Sequence, residues 1–166
     1  MYQNKQIAVV VPCYNEESQI EQVIATIPDY IDAIVVIDDV SRDNTVKVIE
    51  RAQQGNPKVV LIKHDKNQGV GGAIASGYKW ARDNNMDIAV VMAGDGQMDP
   101  DELPKLIEPI VNGETDYTKT NRLFYGDAFN QIPKVRYFGN SILSLLTKIA
   151  ARAPFQWLCS RFANRR

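Results

Sequence analysis

The residues with the most chemistry to offer are carboxylates. Asp38-Asp39 and Asp95 stand just past two separate apolar runs, Ala33 to Ile37 and Ile88 to Met92. Acids gathered at one edge repel one another unless a cation or cationic ligand intervenes. Hard divalent ions such as Mg²⁺ or Mn²⁺ take oxygen ligands and commonly share them with substrate phosphates. For Asp39 and Asp95 the pattern therefore points to a divalent metal beside a diphosphate. Asp43, ahead of Asn44-Thr45, reads instead as a turn or cap residue. Tyr14 offers a ring to stack on or line a base pocket, and Arg122 offers a fork for phosphate oxygens.

Other chemistries find little support. His64 is the only histidine, so no Ser-His-Asp or Cys-His pair and no histidine-rich metal site is expected, and His64 is placed in a loop or at the surface. Cys13 and Cys159 make neither a disulfide framework nor a zinc pattern, and Cys13 has no partner base. The cluster Gly69-Val70-Gly71-Gly72 fails the dinucleotide fingerprint, because Ile74 stands where its last glycine belongs. Gly72 and Gly77 have phosphate-loop spacing, but Tyr78 follows where lysine should. These glycines serve either a tight turn with close helix–sheet packing or direct ligand contact.

The elements that must position these residues alternate along the chain. Ile7 to Val11 reads as a buried strand, and Ile20, Val23, Ile24 and Ile27 mark a helix closed by Pro28. Ala33 to Ile37 is a second strand, followed by a helix from Thr45 that Gly55-Asn56-Pro57 breaks. Val59 to Ile62 is a third strand, Val70 to Arg82 a helix, and Ile88 to Met92 a fourth strand. A helix over about Pro100 to Val111 and a weaker strand near Tyr117 to Thr120 complete the series. Such alternation implies right-handed βαβ units and a mostly parallel sheet with helices on both faces. The polar loops then leave the carboxyl ends of the strands, along the edge where open α/β sheets bind ligands.

Composition sets the outer bounds. The chain has 166 residues, with Lys+Arg 19 against Asp+Glu 20 for a net charge of −1, which excludes a broadly basic nucleic-acid binder. It is 45% hydrophobic and 23% charged, as expected of a globular chain of roughly one domain. A mean hydropathy of −0.27, without an apolar run of membrane-spanning length, predicts no spanning helix. The short apolar run ending at Pro12 does not read as a signal peptide, so a cytoplasmic protein, or one at the inner face of the membrane, is expected.

Four segments, each following an expected strand, resemble the ordered motifs of family 2 glycosyltransferases. They are Val11 to Glu17, Val36 to Thr45, Asn67 to Gly77 and Gly94-Asp95-Gly96-Gln97-Met98-Asp99-Pro100. The likeness covers Ile7 to Ala151 and is strongest to the polyprenyl-phosphate (dolichyl-phosphate mannose synthase-like) branch. It implies a GT-A fold, a nucleotide-sugar donor, a divalent metal (Mg or Mn) and inverting transfer to a polyprenyl phosphate. By that resemblance Pro12, Tyr14 and Glu16 line the nucleoside pocket, and Asp39 recognises base or ribose. Asp95 matches the second acid of the D-x-D motif and Gln97 a metal-associated glutamine, while Arg122 and Arg136 match phosphate-holding arginines. Asp95, Arg122 and Arg136 are thus the candidate catalytic set.

Three departures accompany the resemblance. Ala93 replaces the first acid of D-x-D, which implies weak metal affinity, and Val40 replaces the usual glycine after the acid pair, tightening the nucleoside loop. The third departure is the end of the chain. Residues 1–134 read as the GT-A nucleotide-sugar domain, and 135–151 as an amphipathic helix suited to peripheral membrane contact. Residues 152–166 read as a tail of arginines and aromatics. That tail is expected to reflect a frameshifted or prematurely ended reading frame, with a basic membrane tail as the rival. Two alternatives to an active transferase stand beside it: an incomplete nucleotide-sugar-binding fragment, and a receiver-like signalling domain with acids at its strand ends.

Overall fold

The computed structural model describes residues 2–96 and 98–119. Strands β1 (Ile7–Cys13), β2 (Ala33–Asp38), β3 (Val59–Lys63) and β4 (Ile88–Val91) form one sheet in the order β3-β2-β1-β4. All its pairings are parallel. Between them run α1 (Ile20–Thr26), α2 (Thr45–Gly55) and α3 (Gly69–Asp83). A 3₁₀ turn, Pro100–Glu102, leads into α4 (Leu103–Val111).

The apolar runs explain which strands are central. Every residue of β2 is buried, as is every residue of β1 except the half-buried Pro12. Strands covered on both faces need such continuous runs. Ala8, Val10, Ala33, Val35 and Ile37 form one side of the core with Ala73 and Ala81 of α3. Ile7, Val9, Val11, Ile34 and Val36 alternate to the opposite face, where right-handed crossovers carry α1 and α2. α1 and α2 pack on each other, and α2 also meets β2 and β3. α1 ends as expected, with Ile27 extended (ψ 126°) ahead of Pro28.

Gly77 resolves part of the glycine question in favour of packing. A Cβ on it would meet Val10 Cγ1 at 2.2 Å and Ile37 Cδ1 at 3.0 Å, so only glycine lets α3 lie this close to the sheet. Gly69, at φ +72°, supplies the turn that starts α3.

Two expectations need correction. The single helix over Pro100 to Val111 is a 3₁₀ turn followed by α4, with Asp99 capping the turn by accepting from the Asp101 amide at 2.9 Å. The weak strand near Tyr117 is not formed over residues 117–119. There the Tyr117 amide donates to Thr115 Oγ1 (3.3 Å) and the Thr118 hydroxyl to the Leu106 carbonyl (2.8 Å). Local hydroxyls take up polar groups that a ladder would have used.

The chain divides into two compact units, residues 1–104 and 105–166. The first holds the sheet, α1 to α3 and every candidate site residue described here. Of the second, residues 105–119 are described. The expected amphipathic helix 135–151 and the tail 152–166 lie outside the described residues, as do Gln97, Arg122 and Arg136.

Candidate functional site

The strand order fixes where a ligand site can form. From β1 the chain steps to β2 and then β3 on one side, while β4 lies on the other side of β1. The topological switch point is therefore between β1 and β4, and the crevice outside their carboxyl ends is the natural binding place. Register sharpens it. Cys13 pairs with Asp38, so β1 and β2 end level, whereas Val91 at the end of β4 pairs with Val10. The β4 chain thus leaves the sheet early and folds back over the end of β1. Gly94 sits so close that a Cβ would be 3.2 Å from Cys13 Cβ and 3.3 Å from the Pro12 carbonyl oxygen.

The loops after β1 and β2 are laced together by side chains. The Asn15 amide donates to Ser41 Oγ (2.9 Å), and the Arg42 amide donates to Asn15 Oδ1 (2.8 Å). The Glu16 amide donates to Thr45 Oγ1 (2.9 Å) and the Glu17 amide to Asp43 Oδ2 (3.2 Å). Asn44 returns two bonds to the Glu17 carboxylate, at 3.0 and 2.9 Å. Asp43 behaves as the turn residue expected of it, accepting from both the amide and hydroxyl of Thr45. Asp38 closes a local turn by accepting from the Ser41 amide. Asn15 (φ 58°) and Val40 (φ 67°) take left-handed backbones in these loops. Asparagine tolerates that conformation, but a β-branched valine in it is strained.

Asp39 lies at the centre of a second knot. Its Oδ1 accepts from His64 Nδ1 (2.7 Å) and the Gln68 amide (2.9 Å), and its Oδ2 accepts from the Gly69 amide (2.7 Å). Asn67 Nδ2 donates to the Asp39 carbonyl at 2.8 Å. Burial opposes the charge, but the Gln68 amide, His64 and the Gly69 amide outweigh it, so the carboxyl titrates below its usual range. His64 Nε2 also meets Ser76 Oγ at 2.8 Å. A Ser–His–Asp chain is therefore present, contrary to the expectation from a lone histidine; His64 lies in the loop after β3, as expected, but its side chain is not at the surface. Its side chain and that of Asp39 are each 5% exposed. β3 delivers the histidine to β2's acid while α3 supplies the serine, three elements whose sequence positions gave no hint of a meeting.

The remaining candidates gather around the crevice. Tyr14 is exposed at 43%, with its ring available to a ligand. Burial, then the neighbouring charges of Asp95 and Asp43, raise the Glu16 carboxyl above its normal range. The first and fourth strand-end loops thus bring acids together as the alternation implies. Gln19, oriented with Nε2 toward both loops, donates to Glu16 Oε2 (2.9 Å) and to the Asp95 carbonyl (3.2 Å). Beside it opens a cleft of about 490 Å³, lined by Gln19, Gln22 and Val23 of α1 and by Asp95, Gly96 and Asp99. Cys13 is inert by environment: burial, and then the charges of Asp38, Glu16, Asp43 and Asp39, push its thiol up to about 12.

Among the described residues no three acids, histidines or cysteines cluster as a metal site. The donor set nonetheless suits a hard cation. Asp95 and Glu16 present carboxylate oxygens whose mutual repulsion a divalent ion would relieve, leaving its other positions to diphosphate oxygens.

An open parallel sheet with acids at a switch-point crevice is an α/β domain of the GT-A type. The family model for glycosyl transferase family 2 matches residues 8–166, and the chain belongs to that family. The match runs past Ala151 and takes in the Arg152 to Arg166 tail, which the motif resemblance leaves outside. The receiver-like alternative falls with it.

The chain is 36% identical over 157 residues to a UDP-N-acetylglucosamine–dolichyl-phosphate N-acetylglucosaminyltransferase of Methanococcus voltae, covering 87% of this chain and 62% of that protein. It is 37% identical over 113 residues to a dolichol-phosphate mannosyltransferase of Pyrococcus furiosus, covering 64% and 30%. Among solved structures, glucosyl-3-phosphoglycerate synthase from Mycobacterium tuberculosis with Mn²⁺, UDP-glucose and phosphoglyceric acid superposes with a TM-score of 0.54 at 26% identity. That alignment covers 67% of this chain and 41% of the synthase. The chain spans about three fifths of the length of the first of these relatives.

Proposed function

We propose that the chain binds a nucleotide-sugar at the carboxyl edge between β2, β1 and β4 and takes part in inverting transfer of the sugar to a polyprenyl phosphate. The observation that carries this reading is the meeting of Glu16 and Asp95 at the switch-point crevice of a family 2 chain, with Asp39 just past the end of neighbouring β2. Relatives named for dolichyl-phosphate acceptors support the acceptor class.

In this reading Tyr14 and Pro12 wall the nucleoside, and Asp39 accepts one hydrogen bond from it. Asp95, with Gln97, would hold a divalent ion, and the bound Mn²⁺ of the similar synthase supports that assignment. The ion's contribution is Lewis-acid neutralisation of charge on the departing diphosphate. Arg122 and Arg136 would supply further positive charge, to the diphosphate or to the acceptor phosphate. A phosphate acceptor is already ionised and needs no general base, which fits a site where none has been assigned. Such an acceptor requires the chain to work at a membrane surface. No helix among the described residues is long and apolar enough to cross a membrane.

The test is thermal stabilisation by UDP and GDP, with and without Mn²⁺. A ligand at about 100 times its Kd adds roughly 2.7 kcal/mol of stability. Asp95→Asn should abolish the Mn²⁺-dependent part, whereas Asp99→Asn, at a 3₁₀ cap, should keep it. Equal Mn²⁺ dependence in both variants would overturn the role of Asp95, and no stabilisation by either nucleotide would overturn the site.

A further inference from the structure

The Asp39–His64–Ser76 chain is a part-buried polar feature that this function leaves unexplained. A hydrolytic triad is a poor account of it, since the imidazole, which would have to meet a substrate, is 5% exposed. Its effect on Asp39 is more informative. A carboxylate has about four lone-pair positions, two on each oxygen. On Asp39, His64 Nδ1 and the Gln68 amide fill both positions of Oδ1, and the Gly69 amide fills one of Oδ2. One acceptor position remains.

We propose that His64 is a specificity-determining residue: by occupying Asp39 Oδ1 it restricts the carboxylate to a single further acceptor bond, which selects a uracil nucleotide over a guanine one. The inference rests on Asp39 facing the base, as proposed above. Uracil presents one ring N–H between two carbonyls, and a single Oδ2 position satisfies it. Guanine presents N1–H and the N2 amino group side by side, and its best match is a carboxylate with both oxygens free for paired bonds. Here the second oxygen is taken. Cytosine has no ring N–H on that edge and offers N3 as an acceptor. Asp39, held ionised by three donors, cannot donate to it, so a cytosine that gave its N4 amino group to Oδ2 would leave N3 unpaired against the carboxylate.

The ring itself is locked from behind. The ionised Asp39 accepts a hydrogen bond from Nδ1–H, and Nε2 shares a second hydrogen bond with the Ser76 hydroxyl. Ser76 sits one residue before Gly77, where α3 is pinched onto β1 and β2. The histidine therefore cannot swing away to free Oδ1 without breaking a part-buried bond to a helix that is itself fixed.

The experiment is calorimetric titration of the full chain with UDP, GDP and CDP, in wild type, His64→Ala and His64→Asn. The Asn amide reaches the place of Nδ1 and keeps a donor on Oδ1, whereas Ala vacates it. Wild type should bind UDP about tenfold or more tightly than GDP, and CDP more weakly still. His64→Ala should narrow the UDP-to-GDP ratio and His64→Asn should restore it. GDP binding as tightly as UDP in wild type overturns the inference while leaving the nucleotide site standing. A ratio unchanged in a folded His64→Ala protein, judged by its circular dichroism, also overturns it. Failure of all three nucleotides to bind overturns the site and this inference together.

Discussion

Val40 offers a clean test of whether the loop after β2 is built on a strained residue. It holds φ 67° with 36% of its surface exposed. An L-residue in the left-handed region costs about 1–2 kcal/mol that glycine does not carry. Replacing Val40 by glycine alone would confuse relief of that strain with loss of the partly covered side chain. The informative comparison is Val40→Ala against Val40→Gly, since both discard the isopropyl group and differ chiefly in backbone preference. Glycine's extra unfolded-state entropy ordinarily makes it about 0.4–1 kcal/mol worse than alanine. Setting that against the left-handed cost predicts that Val40→Gly is more stable than Val40→Ala by about 0.5–1 kcal/mol. With a urea m-value of about 2 kcal/mol/M the midpoints differ by about 0.3–0.5 M, well within the resolution of a denaturation curve followed by circular dichroism. An alanine variant equal to or more stable than glycine would show that residue 40 does not need a left-handed backbone, and the strain argument would fall.

The remaining predictions concern packing, reactivity and pH. Gly77→Ala should destabilise by about 1–3 kcal/mol, because the new methyl overlaps Val10 Cγ1; a urea melt matching wild type would refute the close approach. In a Cys159→Ser background the Cys13 thiol, pushed up to about 12 and bonded to the Ile37 carbonyl, should resist alkylation at pH 8 until the protein unfolds; rapid labelling of the native chain would contradict its burial. Asp39 titrates lower in the folded chain than unfolded, so its stabilising contribution is complete above about pH 4 and is lost as pH falls through the folded value. Asp39→Asn should therefore lower stability at pH 7 and flatten that acid loss, as read from melts at several pH values. Glu16 is shifted the other way and weakens the fold once pH rises past the unfolded value of about 4.3, so Glu16→Gln should raise the melting temperature at pH 7 and lose that advantage near pH 4.

The fold was legible because burial on both faces leaves a mark on composition. Runs such as Ile7 to Val11 and Ala33 to Ile37 have no other economical reading, and their alternation with helical spacing implies a parallel sheet. The strand-end position of Asp39 and Asp95 was legible for the same reason. What lay hidden was contact between distant loops. Nothing local in Asn15 or Glu17 shows that they bind Ser41 to Asn44, and a single histidine gives no sign that β3 and α3 will carry His64 and Ser76 to Asp39. The strand expected near Tyr117 failed on a smaller scale, where Thr115 and Thr118 hydroxyls captured polar groups that the propensity of the backbone would have given to a neighbour.

The lacing of residues 15–17 to 41–45 bears on how such a domain can change. Each segment completes the other's hydrogen bonds, so neither is a transferable module. A segment 12–17 grafted from a relative would arrive with donors and acceptors facing the wrong partners, and each hydrogen bond lost costs up to about 0.5–1.5 kcal/mol. Drift in one loop is then tolerated only when the other shifts with it. Exchange of specificity between such enzymes should succeed when both loops travel as a pair, and the two stretches, a sheet strand and a helix apart in the chain, form one inherited unit.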